Sequence, residues 1–283
     1  MLAKGGISRL APSPTGALHL GHAFSFLVNW MLARRLAWRL VLRLDDLDAP
    51  RVSASDHDTI GELRLLELDW DGAVVRQSER LPRYREAMRR LAAAGAVYES
   101  PHSRAEVREA AAAVGAPQEG GGHVAFPRSL RPADRSSWRF EHESVNHRLA
   151  VADGLEPVRD ALHDSRAFEP ARDHGDFLVW TKAGVPSYQL ACAVDDAELG
   201  VNRVVRGADL LESAALQQLL HRALGHEAPQ WCHVPLVRDA QGRRLAKRDS
   251  DEGVATLMAS GATPARLRGL VATWLGLASP APL

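Results

Sequence analysis

The segment from Ile7 to Leu44 constrains this chain more than any other. Ile7 to Pro12 reads as a short strand running into a Pro/Gly turn, Pro12-Ser-Pro-Thr-Gly16. A helix is expected to start near Gly21 and run to about Arg35, and Arg39 to Leu44 reads as a second strand. Strand, glycine turn, helix, strand is the pattern of a parallel α/β unit, because two strands that run the same way need a crossover between them. The most apolar stretch, Phe24 to Leu42, is interrupted by Arg34, Arg35 and Arg39. Inside a bilayer those charges would be costly, so a buried helix followed by a strand is expected, with no membrane partner.

Further along, Ser53 is expected to cap a helix with Ile60, Leu63 and Leu66 on its apolar side. Pro82 suits the first turn of another helix and Gly95 its end, with Tyr84, Met88 and Leu91 sharing a face. From about residue 98 to 150 regularity is lost. Gly120-Gly-Gly122 is a flexible break, and Pro127 and Pro132 interrupt any pattern. This stretch reads as an insertion in the α/β domain. Phe177 to Thr181 and Tyr188 to Val194 flank Gly184, which predicts a β-hairpin. Leu210 to Leu224 reads as a helix ending at Gly225. Cys232 to Val237 reads as a strand, followed by a polar loop carrying Arg243, Arg244, Lys247 and Arg248 and by two short helices.

Bulk properties narrow the class. A chain of 283 residues, 46% apolar and 25% charged, suits a globular protein of one large domain or two modest ones. Lys+Arg and Asp+Glu both number 35, so a nucleic-acid partner would need a local basic surface and not a global field. Cys192 and Cys232 are too few for a disulfide framework or a cysteine-rich metal site. A reducing cytoplasm is the simplest expectation, and Met1 to Gly16 lacks the apolar core of a signal peptide.

Two elements carry chemistry. His19-Leu-Gly-His22 falls where a strand has ended and a helix begins. A helix N-terminus offers free N–H groups and partial positive charge to an anion. Imidazoles three residues apart can sit side by side on that turn, and Gly21 lets a nucleotide approach the backbone. On its own such a string is more often packing or surface; the preceding Pro-Ser-Pro-Thr-Gly turn favours the functional reading. The second element, Arg244-Leu-Ala-Lys247-Arg248, places cations on a loop that can close over phosphates. Its bland alternative is a solvated basic turn.

In this order the two elements resemble the signature motifs of class I aminoacyl-tRNA synthetases. Arg9-Leu-Ala-Pro-Ser-Pro-Thr-Gly16, Leu44-Asp-Asp-Leu-Asp48, Trp70-Asp-Gly72, Gln77-Ser78, Tyr188-Gln-Leu190, Val194-Asp-Asp196 and Val205-Arg-Gly-Ala-Asp-Leu210 resemble the glutamate branch. Within it they are most similar to the glutamyl-queuosine tRNA(Asp) synthetases, truncated paralogues of the glutamyl-tRNA synthetases. The similarity runs from about Arg9 to Lys247. It implies a Rossmann-like parallel sheet split by an inserted, smaller α/β acceptor-type subdomain. The expected division is 1–97 and 186–248 for the two halves of the core, 98–185 for the insertion, and 249–283 for a helical tail in place of an anticodon-binding domain. The implied activity uses ATP with Mg²⁺ to activate L-glutamate as its adenylate, without needing tRNA. The glutamyl group then passes to the queuosine base in the anticodon of tRNA(Asp). A monomer is expected.

By the same resemblance, Arg9, Ala11, Ser13, Asp45, Tyr188 and Arg206 would form the glutamate pocket. Guanidinium groups suit a carboxylate and discriminate against glutamine, although either arginine could equally serve a structural ion pair and Tyr188 could be a core aromatic. Pro12, Thr15, Gly16, His19, Gly21, His22, Asp209 and Lys247 would bind ATP, with His19, His22 and Lys247 catalytic. Three departures stand out. Asp45 replaces the family's usual glutamate and is shorter by one methylene, roughly 1.5 Å of reach, which a bridging water could fill. Ser100, His102 and the Phe126-Pro-Arg-Ser-Leu130 string occupy the positions of the family's usual zinc ligands, so no zinc is expected. Arg244 and Ala246 replace the usual lysine and serine of the basic loop, while Lys247 is kept. Two alternatives stay open: the same adenylate-forming core with another amino acid or acceptor, and a non-catalytic tRNA-binding paralogue.

Overall fold

The computed structural model describes residues 2–48, 58–113, 124–134, 138–237 and 253–276. Strand β1 (Ile7–Leu10) leads through the Pro/Gly turn into helix α1 (Leu20–Arg35), which returns the chain to β2 (Arg39–Leu44). β1 and β2 pair in parallel with Arg9 opposite Val41. α1 sits on β1 through a buried polar contact: Ser8 Oγ donates to Asn29 Oδ1 (2.8 Å), and Asn29 Nδ2 donates to Arg9 O (2.8 Å). Helix α2 (Thr59–Leu65) is capped by Asp58, whose Oδ1 accepts from the Gly61 N–H at 2.8 Å. Ser53, the expected cap, lies outside the described residues. β3 (Val75–Arg76) extends the parallel sheet, and α3 (Leu81–Ala93) follows with Pro82 in its first turn and Tyr84, Met88 and Leu91 buried.

The next elements form a separate antiparallel sheet. β4 (Val97–Glu99) precedes α4 (Arg104–Ala113) and pairs with β5 (His147–Leu149). β6 (Glu156–Val158) and β7 (Arg166–Phe168) pair antiparallel as a small ribbon. A short α5 (Pro170–Asp173) leads to β8 (Leu178–Trp180), which completes the order β4-β5-β8. This sheet is not walled off from the rest. Val97, Leu149, Val179 and Trp180 share one buried cluster with Tyr84, Met88 and Leu91 of α3.

Helix α6 (Tyr188–Glu198) overturns the predicted hairpin. The turn around Gly184 (φ +77) is present, with Thr181 N–H donating to Val185 O at 2.9 Å, but its second arm is helical. Ser187 caps α6 by accepting from the Leu190 N–H, and the run from Leu190 to Asp196 is buried throughout. A helix buried on every side loses the 3.6-residue polar alternation, so its short apolar run reads like a strand.

β9 (Arg203–Gly207), α7 (Leu211–Ala223) and β10 (Gln230–Val234) form a second crossover, with β9 and β10 parallel. β10 starts earlier than the expected Cys232, pairing from Gln230, and stops at Val234, where Pro235 has no N–H to continue the ladder. Asn202 N–H donates to Ile7 O (3.0 Å), which lays β9 beside β1. Val205, Cys232 and Val234 join Leu10, Leu27, Leu40 and Leu42 in one cluster, so two segments distant in sequence share a core. Helices α8 (Val254–Ala259) and α9 (Pro264–Trp274) close the described chain as two short helices. Val254 N–H donates to Leu18 O (2.8 Å), and the Trp274 ring meets Phe24 edge-on. No helix among the described residues is long and apolar enough to cross a membrane.

Candidate active site

A cavity of about 440 Å³ opens where the carboxyl ends of β1, β2 and β9 meet the N-terminus of α1. Such crevices form because parallel strands all deliver their outgoing loops to the same edge. β1 supplies Arg9, and the turn after it supplies Ala11, Pro12, Ser13, Thr15 and Gly16. The mouth of α1 supplies His19, Gly21 and His22, the end of β2 supplies Asp45, and the start of α6 supplies Tyr188. Arg206 from β9 and Asp209 just beyond it complete the far wall. Every predicted site residue that falls among the described residues therefore lines one cavity. Lys247 lies outside them. Leu18, Ser25, Phe26, Gly207 and Leu210 also line it and were not anticipated.

His19 is the N-cap of α1, and its Nδ1 accepts from the Gly21 N–H at 3.1 Å. That contact places the proton of the neutral ring on Nε2, which is then a donor. His22, one turn on, stacks against it with ring centroids 3.7 Å apart. A Cβ at Gly21 would stand 3.0 Å from His19 Cε1, so the glycine keeps room for the capping ring. Two imidazoles and the positive end of a sixteen-residue helix thus share one edge of the cavity.

Behind the cavity wall lies a buried ionic cluster centred on Arg43, whose side chain is fully buried. Its Nε and Nη2 donate to the two oxygens of Asp45 (2.7 and 3.2 Å), and its Nη1 donates to Asp196 Oδ1 at 2.8 Å. The same Asp196 oxygen accepts from Arg9 Nε at 3.3 Å. Arg9 is therefore both a cavity residue and a member of an ion pair. Burial pushes the Asp45 carboxyl up, with Arg43 opposing. At Asp196 burial works in the same sense, but Arg9 and Arg43 outweigh it and hold the carboxyl below its usual range. Neighbouring Asp195 accepts from Gln77 Nε2, Arg80 Nε and Tyr84 Oη at 2.7 to 2.9 Å. Sequence reasoning assigned no role to Arg43, Asp195 or Asp196. An Asp-Asp pair inside an apolar run was the signal, since carboxylates are seldom buried without cationic partners.

Arg206 is arranged differently. Its Nε donates to His233 Nε2 (3.0 Å), Nη1 to Gln217 Oε1 (2.9 Å) and Nη2 to Leu210 O (3.1 Å). The Trp231 ring lies 4.8 Å from its guanidinium carbon. Those hydrogen-bond acceptors are all neutral, and the group is 6% exposed. Burial lowers its pKa but leaves an arginine charged. A buried guanidinium bonded to neutral groups at the wall of a cavity is arranged to receive an anion. Tyr188, 41% exposed, stands on this wall as a cavity residue and not as a core aromatic.

The positions aligned with the family's zinc ligands hold other chemistry. Ser100 Oγ accepts from Arg148 Nε (3.1 Å), and the Arg148 guanidinium stacks on Phe126 at 3.8 Å. His102 faces the same Phe126 ring. A hydroxyl, one imidazole and a phenyl ring do not make a tetrahedral zinc site, and the donor set does not fit that metal.

Comparison with known proteins shows the family and the fold. The family profile for tRNA synthetases class I (E and Q), catalytic domain, matches residues 7–270. A glutamyl-Q tRNA(Asp) synthetase of Nocardia farcinica is 40% identical over 273 residues, covering 96% of this chain and 86% of that protein. One from Rhodobacter capsulatus is 37% identical over 278 residues, covering 94% and 99%. The crystal structure of a glutamate-tRNA synthetase from Elizabethkingia anophelis superposes with a TM-score of 0.73 at 25% identity. That match covers 88% of this chain and 54% of the other, so the chain spans about half the length of that solved structure.

Proposed function

The chain belongs to the class I tRNA synthetases of the E and Q type, and from that premise we propose that it activates L-glutamate with ATP and transfers the glutamyl group to the queuosine base of tRNA(Asp). The observation that carries the amino-acid half is the buried Arg206, hydrogen-bonded to neutral acceptors and joined on the cavity wall by Arg9. Two guanidinium groups there favour a substrate with a carboxylate on its side chain and select against its amide. Tyr188 and Ser13 supply neutral hydrogen-bonding groups.

ATP would bring Mg²⁺, which would supply charge neutralisation on the phosphates. Its triphosphate lies along the His19/His22 edge. The substrate α-carboxylate attacks the α-phosphorus, the bond to the bridging oxygen breaks, and pyrophosphate leaves. Negative charge grows on the phosphoryl oxygens in the transition state, where the Nε2–H of His19 and the N-terminus of α1 act on it. Lys247 would act on the β- and γ-phosphates. Leu236 lies beside Gly207, and Gly253 bridges to His19. The acceptor assignment draws on the names of the two relatives, and the setting that fits is the cytoplasm. ATP–pyrophosphate exchange across an amino-acid panel, without tRNA, tests the first half. Transfer of labelled glutamate to queuosine-containing and to unmodified tRNA(Asp) tests the second. Absence of glutamate-dependent exchange would remove the substrate.

One observation favours a second reading. The Asp45 carboxylate is drawn onto Arg43 by two hydrogen bonds, away from a direct hold on the substrate α-amino group. A different amino acid on the same adenylate-forming core would then give the strongest exchange in the panel.

A further inference from the structure

Arg206 is held by a relay that begins in the segment between β6 and β7. Arginine Nε only donates, so His233 Nε2 must accept from it, and the neutral ring carries its proton on Nδ1. That Nδ1–H donates to Asp160 Oδ2 at 2.6 Å, and the same oxygen accepts from the His233 backbone N–H at 3.0 Å. Asp160 Oδ1 accepts from the N–H groups of Leu162 (2.9 Å) and His163 (3.1 Å). Four donors leave this carboxylate little freedom to turn. Two more bonds fasten its loop to β10: Ala161 N–H donates to Trp231 O (2.9 Å), and His163 Nε2 donates to His233 O (2.8 Å).

We propose that Asp160 and His233 are positioning residues for the amino-acid pocket. The carboxylate fixes the imidazole in the tautomer that accepts from Arg206, and the imidazole fixes the plane of the guanidinium that meets the substrate carboxylate. This rests on the glutamate-activating reading above and gives the inserted segment a part in it. A carboxylate that sets a histidine tautomer is a general device; here its output is an oriented cation, not a base. With asparagine at 160, the amide oxygen keeps the loop N–H groups and the NH₂ turns to His233. The ring must then accept at Nδ1 and carry its proton on Nε2, donor against donor at Arg206. The groups facing His233 are Asp160 and His163 from the loop, Arg206 from β9, and Trp231 on its own strand. Burial, followed by Arg206 and His163, keeps its pKa below 6.5 against the opposing pull of Asp160. Protonation in acid would set two cations face to face.

The test uses the full chain in ATP–pyrophosphate exchange, with KM measured separately for glutamate and for ATP. Asp160→Asn and His233→Leu are expected to raise the glutamate KM about 10- to 100-fold, the range for a missing hydrogen bond to a charged group, with the ATP KM within about 2-fold. His233→Gln, whose amide oxygen can take the place of Nε2, should recover most of the loss. In the wild type the glutamate KM should rise as the pH falls below 6.5, and His233→Gln should abolish that rise. Nitrogen NMR of histidine-labelled protein should report His233 as the Nδ1–H tautomer in the wild type. An unchanged glutamate KM in both variants, or an equal rise in both KM values, overturns the proposal, as does an Nε2–H tautomer in the wild type. If the variants fail to fold, the wild-type pH profile and tautomer decide. If the wild type shows no glutamate-dependent exchange, the functional reading has failed, and the tautomer alone judges the relay.

Discussion

Two buried charged networks serve opposite ends in this molecule. Behind the cavity, Arg43, Asp45, Asp196 and Arg9 pair with one another while Arg9, Asp45 and Arg206 also face open space. Beside the β4-β5-β8 sheet, Asp176 accepts from Tyr98 Oη, from Arg131 and from the Val151 N–H, so its carboxylate is spent on donors of the protein itself. Tyr98 packs at a tilt on Trp138, and Phe126 is clamped between Arg148 and the backbone at Gly175. Gly175 has φ +62, and a Cβ there would stand 2.0 Å from Phe126 O. At the cavity Arg206 keeps a guanidinium bonded to neutral groups, whereas around Asp176 the charges are spent on one another. The same interactions become a site or a staple according to whether the pairing is complete.

The sharpest way to break that contrast is to remove a member of each network. Asp176→Ala strands Arg131 and the Tyr98 hydroxyl, and should destabilise the fold by about 3–5 kcal/mol, as for a buried pair deprived of one partner. Denaturant melts would show it, and the glutamate KM of the protein that remains folded should be unchanged. A matching rise in KM would mean that the staple and the site are one unit. Lys247→Ala should slow adenylate formation by roughly 10²–10³ while the melting temperature stays put, the scale set by a single preorganised charge acting in the transition state. Pre-steady-state measurement of adenylate would check it, and an unchanged rate removes that lysine from the chemistry.

Smaller effects sharpen the picture. His147 of β5, His221 of α7 and His233 of β10 have their pKa values lowered from 6.5, by burial first. As pH falls through 6.5 the unfolded chain takes up protons before the folded one does. Stability is therefore full above that value and declines below it, until the folded values are passed. Thermal melts should drop between about pH 8 and about pH 5.5. His147→Gln should remove part of the slope without altering the glutamate KM. A flat profile would mean that these rings are hydrated in solution. The smallest expected effect is none: prolonged exposure to a strong zinc chelator should leave the melting temperature unchanged, because Ser100, His102 and Phe126 offer no tetrahedral set. A marked drop would show that the insertion depends on a metal after all.

Much of the core was legible because local chemistry and tertiary role coincide there. The first strand, its turn and α1 announce themselves through a glycine turn and a helix cap that work over neighbouring residues. The cavity residues were legible through motif strings that keep their spacing. The hairpin reading of Tyr188 to Val194 failed because burial on all sides erased the periodic signal of α6. Arg43, Asp196, Asp160 and His233 were missed as working residues for a related reason. Their partners lie far along the chain, 153 residues away for Arg43 and Asp196 and 73 for His233 and Asp160.

By itself the sequence determined the α/β class and the helix mouth bearing His19 and His22. Those follow from contacts within a turn or two of the chain, where composition and spacing act directly. The tertiary structure alone decided that Asp45 rests on Arg43, that Arg206 is bonded to neutral groups, and that Asp160 of the β6–β7 loop bonds the His233 that Arg206 meets. Each of these depends on which distant groups share a desolvated space, and electrostatic interactions strengthen only once folding has excluded the water between them.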